Sequence, residues 1–189
     1  MKSKNLFLSY IIFLTSLNII ANDELTIDLG DKNNECKDIT RETLTERNFS
    51  NNFVGTFNGK KIEYTASLKE KIIYEKDDPN LPMASFFYTE YISKDSDQRP
   101  IIFSFNGGPG SASLWLHMGV LGPKVIKVPS DASDDGSPPY NIIDNKLSPL
   151  SDADLVFIDP IGTGYSRAIG CHEGEEFWGV SEDPKIIAE

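Results

Sequence analysis

The stretch FSFNGGPGSASLWL, residues Phe103 to Leu116, decides how the rest of the chain is read. It opens inside the apolar run IIFSF (Ile101 to Phe105), which suits a strand buried on both faces. Asn106 then leads into Gly107, Gly108, Pro109 and Gly110 in succession. A loop that only turned the chain could manage with one or two such residues. SLWLHMGVLGP follows, short and apolar, and reads as a helix that stops at Gly122-Pro123.

Bare backbone N–H groups at the end of a strand can hold an anion or a developing oxyanion. Phosphate binding fits poorly: NGGPGSASL has neither the lysine of a P-loop nor the G-x-G-x-x-G spacing. Pro109 also removes a donor from the middle of the loop. An oxyanion hole fits the order better. In α/β-hydrolases one donor comes from a Gly-rich loop after the third strand and the other from the residue after the nucleophile. A purely structural turn is the plain alternative for the loop taken alone.

Outward from the loop, DADLVFIDPIGTGYS contains a second buried-type strand, Leu155 to Asp159, again ending in a Gly-rich turn. Upstream, NNFVGTFNGKKIEYTASLKEKIIYE alternates apolar and polar residues around Asn58-Gly59, a dipeptide that favours a two-residue hairpin turn. ASFFYTEYIS (Ala84 to Ser93) is a further strand, joined through KDDPNLP. PSDASDDGSPPYN reads as an exposed loop, and in SEDPKIIAE Asp183 and Pro184 have the character of an N-cap and a first helical residue. The expected fold class is therefore α/β, with a mixed sheet that begins with antiparallel strands. Ligands of such sheets collect at the carboxyl ends of the strands, and both Gly-rich loops sit there.

The chain has 189 residues, enough for one ordinary domain. Its 29 acidic and 18 basic residues give a formal charge of -11, the wrong sign for a nucleic-acid partner. Lys2 and Lys4 precede the apolar LFLSYIIFLTSLNII, and Ala21 offers a small residue for cleavage. Residues 1–21 thus read as an export signal, with an uncleaved anchor as the alternative, and no stable membrane insertion is expected from a run carrying Ser9, Thr15, Ser16 and Asn18. The product is then periplasmic or secreted. Residues 22–50 form a polar lead-in, and residues 51–189 the domain. Two cysteines, Cys36 and Cys171, are free to pair in an exported protein, though spacing alone decides nothing. CHE at Cys171, His172 and Glu173 is a polar loop rather than a metal site, since zinc needs three or four ligands and His117 is the only other histidine. No cofactor or metal is expected.

The segment NGGPGSASLWLHMGVLGP resembles the hallmark segment of the serine carboxypeptidase family. DADLVFIDPIGTGYS resembles that family's next segment, and FWGVSEDPKIIAE the run leading to its nucleophile. The likeness covers roughly Phe86 to Glu189 and is nearest to the bacterial-type branch. It implies the N-terminal portion of an α/β-hydrolase fold and a serine-type hydrolase that removes C-terminal residues from peptides. It places the oxyanion donor at the backbone N–H of Gly108. It places contacts to the substrate's terminal carboxylate at Asn106 and the N–H of Gly107. An ionised carboxylate only accepts hydrogen bonds, which suits an amide and a backbone donor.

This sequence departs from the family pattern at three places. Ser104 stands where many members have tryptophan, Ser111 where many have cysteine, and Val120 where many have a glutamate that helps to hold the carboxylate. The family's nucleophile sits in a Gly-x-Ser-x-Gly elbow beyond the helix begun at Asp183, so the resemblance assigns no triad residue here and implies a fragment truncated before the nucleophile. GYSRA brings Ser166 close to an elbow pattern, but PIGT intervenes between strand and serine, and RAIGCHEGEE is a poor helix. His117, as its base, reads instead as a residue of the short apolar helix. A non-catalytic exported binding protein and an esterase or acyltransferase on the same scaffold remain the alternatives.

Overall fold

The computed structural model describes residues 39–95, 98–107, 110–127 and 140–179. The export signal, most of the polar lead-in, Cys36, Gly108 and the helix start at Asp183-Pro184 lie outside them.

The first two strands are the hairpin expected from Asn58-Gly59. β1 (Asn48–Phe57) and β2 (Lys60–Tyr74) pair antiparallel from Phe57↔Lys60 to Asn48↔Lys69. Asn58 and Gly59 both have left-handed φ, 48° and 78°, so the turn twists in the same sense as the strands it joins. β1 begins inside the segment expected as lead-in. β3 (Pro82–Ser93) adds antiparallel to β2. β4 (Ile101–Ser104) follows, then a helical turn α1 (Leu114–Leu116) that widens into a π-helical turn at His117–Leu121 and stops at Gly122. β5 (Lys124–Ile126) and β6 (Ile142–Asp144) form a separate two-stranded ribbon. β7 (Asp154–Asp159) returns to the main sheet and β8 (Arg167–Ala168) pairs with the start of β3.

The main sheet has the order β1-β2-β3-β7-β4, with β8 on β3. β7 runs antiparallel to β3 and parallel to β4, so the sheet is mixed and opens with antiparallel strands. Because β4 and β7 are parallel, their carboxyl ends emerge side by side. That places the loop after Ser104 next to the turn after Asp159.

β7 is the strand buried on both faces. Leu155 and Phe157 join one core cluster with Phe57, Ile62, Tyr64 and Leu150, against which Leu116 and Leu121 of the helical segment pack. Val156 and Ile158 point the other way into a second cluster with Ile73, Ala84, Phe86, Ile161 and Phe177. Each fully buried side chain of this size contributes about 1.5–3 kcal/mol. β4 does not match its expectation as a doubly buried strand. Ile101 and Phe103 are 51% and 61% exposed, since among the described residues β4 pairs with β7 alone and no element covers its outer side. Its start is anchored at the level of β7: Arg99 Nε donates to Asp154 Oδ1 at 3.0 Å and Arg99 Nη2 to the Leu150 carbonyl at 2.6 Å.

Candidate active site at the strand carboxyl ends

Asn106 is half-buried and Gly107 exposed, at the carboxyl end of β4. The Asn106 backbone N–H donates to Ser113 Oγ at 3.4 Å. Among the described residues its side-chain amide has no hydrogen-bond partner. A half-buried amide left without a partner is a donor available to something else. Gly107 has no neighbour within 4 Å of where a Cβ would stand, and its φ lies outside the left-handed region. Neither packing nor conformation among the described residues requires glycine at 107, and the position a side chain would take faces open space. Gly110 is different, because its φ of 95° makes the turn.

Ser113 is 1% exposed and ties the loop to β7. Its hydroxyl donates to the Ile158 carbonyl and its backbone N–H donates to Asp159 Oδ1 at 2.8 Å. Asp159 closes β7. Burial pushes its carboxyl above the ordinary aspartate value, an effect partly offset by the Ser113 N–H. The other carboxylate oxygen faces Gly164, where a Cβ would stand 2.1 Å from Oδ2. Gly164 also has φ 52°, so both space and conformation require glycine there. Sequence reading passed over Asp159 and Ser113. Their signals are a carboxylate ending an apolar strand and a serine ending a glycine loop, both too common to stand out.

Ser166 is 0% exposed and is not a nucleophile in this arrangement. Its hydroxyl donates to the Asp159 carbonyl at 2.7 Å and accepts the Phe87 N–H at 2.8 Å. The first bond ties the turn to the end of β7 and the second ties it to β3. His117 lies apart from it in role. Its ring stacks on Phe157 with centroids 4.5 Å apart, and Nε2 lies 2.6 Å from the Tyr91 hydroxyl. Burial lowers its pKa to about 4, so it is neutral at physiological pH. His172 spans two carboxylates, Nε2 at 2.9 Å from Glu75 Oε1 and Nδ1 at 2.7 Å from Glu176 Oε2. The two face opposite ring nitrogens and do not converge on a point. Among the described residues no cluster of His, Cys, Asp or Glu could hold a metal ion, and Cys171 is exposed.

Ser104 is buried on β4, Ser111 half-buried in the loop and Val120 exposed on the π-helical turn. No helix among the described residues is long and apolar enough to cross a membrane.

Comparison with known proteins bears directly on this pair of loops. Two pheromone-processing carboxypeptidases KEX1, from Komagataella phaffii (strain GS115 / ATCC 20864) and Komagataella pastoris, are each 34% identical over 82 residues, 43% of this chain. Serine carboxypeptidase-like 36 of Arabidopsis thaliana is 32% identical over 90 residues, 46% of this chain. The matched stretches take in only 12% of the yeast proteins and 17% of the plant protein. The family profile described as Serine carboxypeptidase matches residues 63–173, more than half of the chain, from β2 through both glycine-rich loops to the CHE segment. On that match the chain belongs to the serine carboxypeptidase family.

Proposed function

We propose that the loop after β4 receives the C-terminal carboxylate of a peptide, and that the chain is the N-terminal part of an α/β-hydrolase acting as a serine-type carboxypeptidase. The observation that carries this reading is the half-buried Asn106 amide, without a partner among the described residues, beside the open backbone of Gly107. In this reading the Asn106 amide and the Gly107 N–H donate to the substrate carboxylate. The Gly108 N–H receives the oxyanion that forms when a serine hydroxyl attacks the last peptide carbonyl. Collapse of that intermediate breaks the C–N bond, expels the C-terminal residue as a protonated amine and leaves the acyl-enzyme, whose ester water then hydrolyses to release the shortened peptide and restore the serine hydroxyl.

The 189 residues contain no Gly-x-Ser-x-Gly sequence. Within this reading the chain therefore supplies recognition and the oxyanion donor, while the triad belongs to sequence that is not among these residues. The reading also includes an export signal at residues 1–21 and the bacterial-type branch of the family as the nearest likeness of the two motif segments, although the relatives compared above are from yeast and a plant.

Calorimetry with hippuryl-phenylalanine and with its C-terminal amide tests the proposal. The free acid is expected to bind at least about 10-fold more tightly, the value of one hydrogen bond to a charged group. Equal affinity for acid and amide would reject carboxylate recognition and favour the esterase reading. Stoichiometric labelling of this chain by a fluorophosphonate would place a nucleophile within it and overturn the division of labour.

A further inference from the structure

Both glycine-rich loops are fastened to one residue. Asp159 accepts the Ser113 N–H from the loop after β4 through its side chain, and the Ser166 hydroxyl from the turn after β7 through its backbone carbonyl. Gly164 leaves the room in which the carboxylate sits. Ser113 continues the chain of contacts. Its hydroxyl donates to the Ile158 carbonyl and so presents a lone pair to the Asn106 N–H. The path Asp159, Ser113, Asn106 thus runs from the end of the central strand to the residue beside Gly107.

We infer that Asp159 and Ser113 are positioning residues for the ligand-binding loop, setting the backbone of Asn106 rather than touching the ligand themselves. This rests on the proposed role of Asn106 and names the device that holds it. Three features favour positioning over mere stabilisation. A half-buried carboxylate is a poor choice for stability alone, because desolvation penalises its charge. Its Oδ1 accepts the backbone N–H of Ser113, the residue directly before α1. And Ser113 is fully buried with its hydroxyl and N–H both engaged at the end of β7, so the loop's exit is fixed while the side-chain position of Gly107 faces open space. A site held on strand ends keeps its donors in place before the ligand arrives.

The test uses the 189-residue chain with Ser113→Ala, Asp159→Ala and Asp159→Asn, read by amide hydrogen exchange and by calorimetry with the same acid and amide. Asparagine retains a carbonyl acceptor for the Ser113 N–H and should restore what alanine loses. Exchange at the Asn106 amide is expected to rise about 10-fold in the two alanine variants and return towards wild type in Asp159→Asn, as the loss of one hydrogen bond predicts. Exchange at Phe157, inside β7, should stay unchanged. The acid-over-amide preference should fall in step with Asn106 exchange. Unchanged exchange at Asn106 in both alanine variants would overturn the inference, and so would equal acceleration at Asn106 and Phe157, the mark of global destabilisation. Should Asp159→Ala fail to fold, Ser113→Ala and Asp159→Asn decide alone. A wild-type chain with no preference for the acid refutes the carboxylate reading, while the exchange data still judge the positioning role.

Discussion

Gly107→Ala separates a glycine kept for a ligand from one kept for the fold. Among the described residues nothing lies within 4 Å of the new methyl, and the φ of Gly107 is outside the left-handed region. The substitution therefore introduces no described clash and restricts the unfolded chain, which stabilises by about 0.4–1 kcal/mol. For a chain of this size that corresponds to a rise in Tm of about 1–4 °C. Binding should move the other way. If the Gly107 N–H donates to a carboxylate that approaches across this open space, the methyl obstructs a hydrogen bond to a charged group. Such bonds contribute about 1.5–3 kcal/mol, so Kd for hippuryl-phenylalanine should rise about 10- to 150-fold. The amide of the same peptide, lacking the carboxylate, should lose much less. The assay is thermal melting and calorimetry on the same protein preparation. A fall in Tm would show that the fold needs this glycine, and an unchanged Kd for the acid would show that no ligand approaches here.

The opposite behaviour is expected at Gly164→Ala. A left-handed φ costs about 1–2 kcal/mol and displacement of the Asp159 carboxylate forfeits its bond to Ser113, about 1.5–3 kcal/mol more, together about 2.5–5 kcal/mol by chemical denaturation; a loss below 1 kcal/mol would refute the tight fit. Asn106→Ala should weaken acid binding about 10- to 150-fold with little effect on the amide, and equal losses on both would leave Asn106 as a residue of the turn. Ser166→Ala should lower stability by about 1–3 kcal/mol by leaving the Phe87 N–H and Asp159 carbonyl without it, and should leave acid binding in place at temperatures where the variant is folded. His117 has its folded pKa lowered to about 4 by burial, so the unfolded chain takes up its proton first as pH falls. Stability from this residue is complete above the unfolded value near 6.5 and is lost between there and about 4, up to about 3 kcal/mol. That loss, followed as Tm against pH, should be absent in His117→Phe.

Local pattern carried much of the fold. Asn58-Gly59 can only turn tightly with both residues left-handed, so the hairpin was legible from two letters. The continuous apolar run at Leu155 to Asp159 could be a doubly buried strand, and it is. The same reasoning failed at Ile101 to Phe105, because an apolar run states what a strand could bury and not whether anything covers it. The glycine loop stood out by composition, while the roles given to Asn106 and Gly107 within it came from the family resemblance. Asp159 and Ser113 did not stand out. Their importance arises only when β4 and β7 pair in parallel and bring residues 46 positions apart within 2.8 Å. Ser166 shows the converse: its spacing from Gly164 imitates a nucleophile, and only the bonds to Phe87 and Asp159 reveal a buried structural serine. Sequence by itself determined the hairpin turn at Asn58-Gly59 and the apolar strand from Leu155 to Asp159, because tolerance of a left-handed backbone and side-chain hydrophobicity belong to the residues themselves. Which groups hold the loop after β4, and which hydroxyl is already engaged, depended on strand pairing, because contacts between distant segments exist only in the folded sheet.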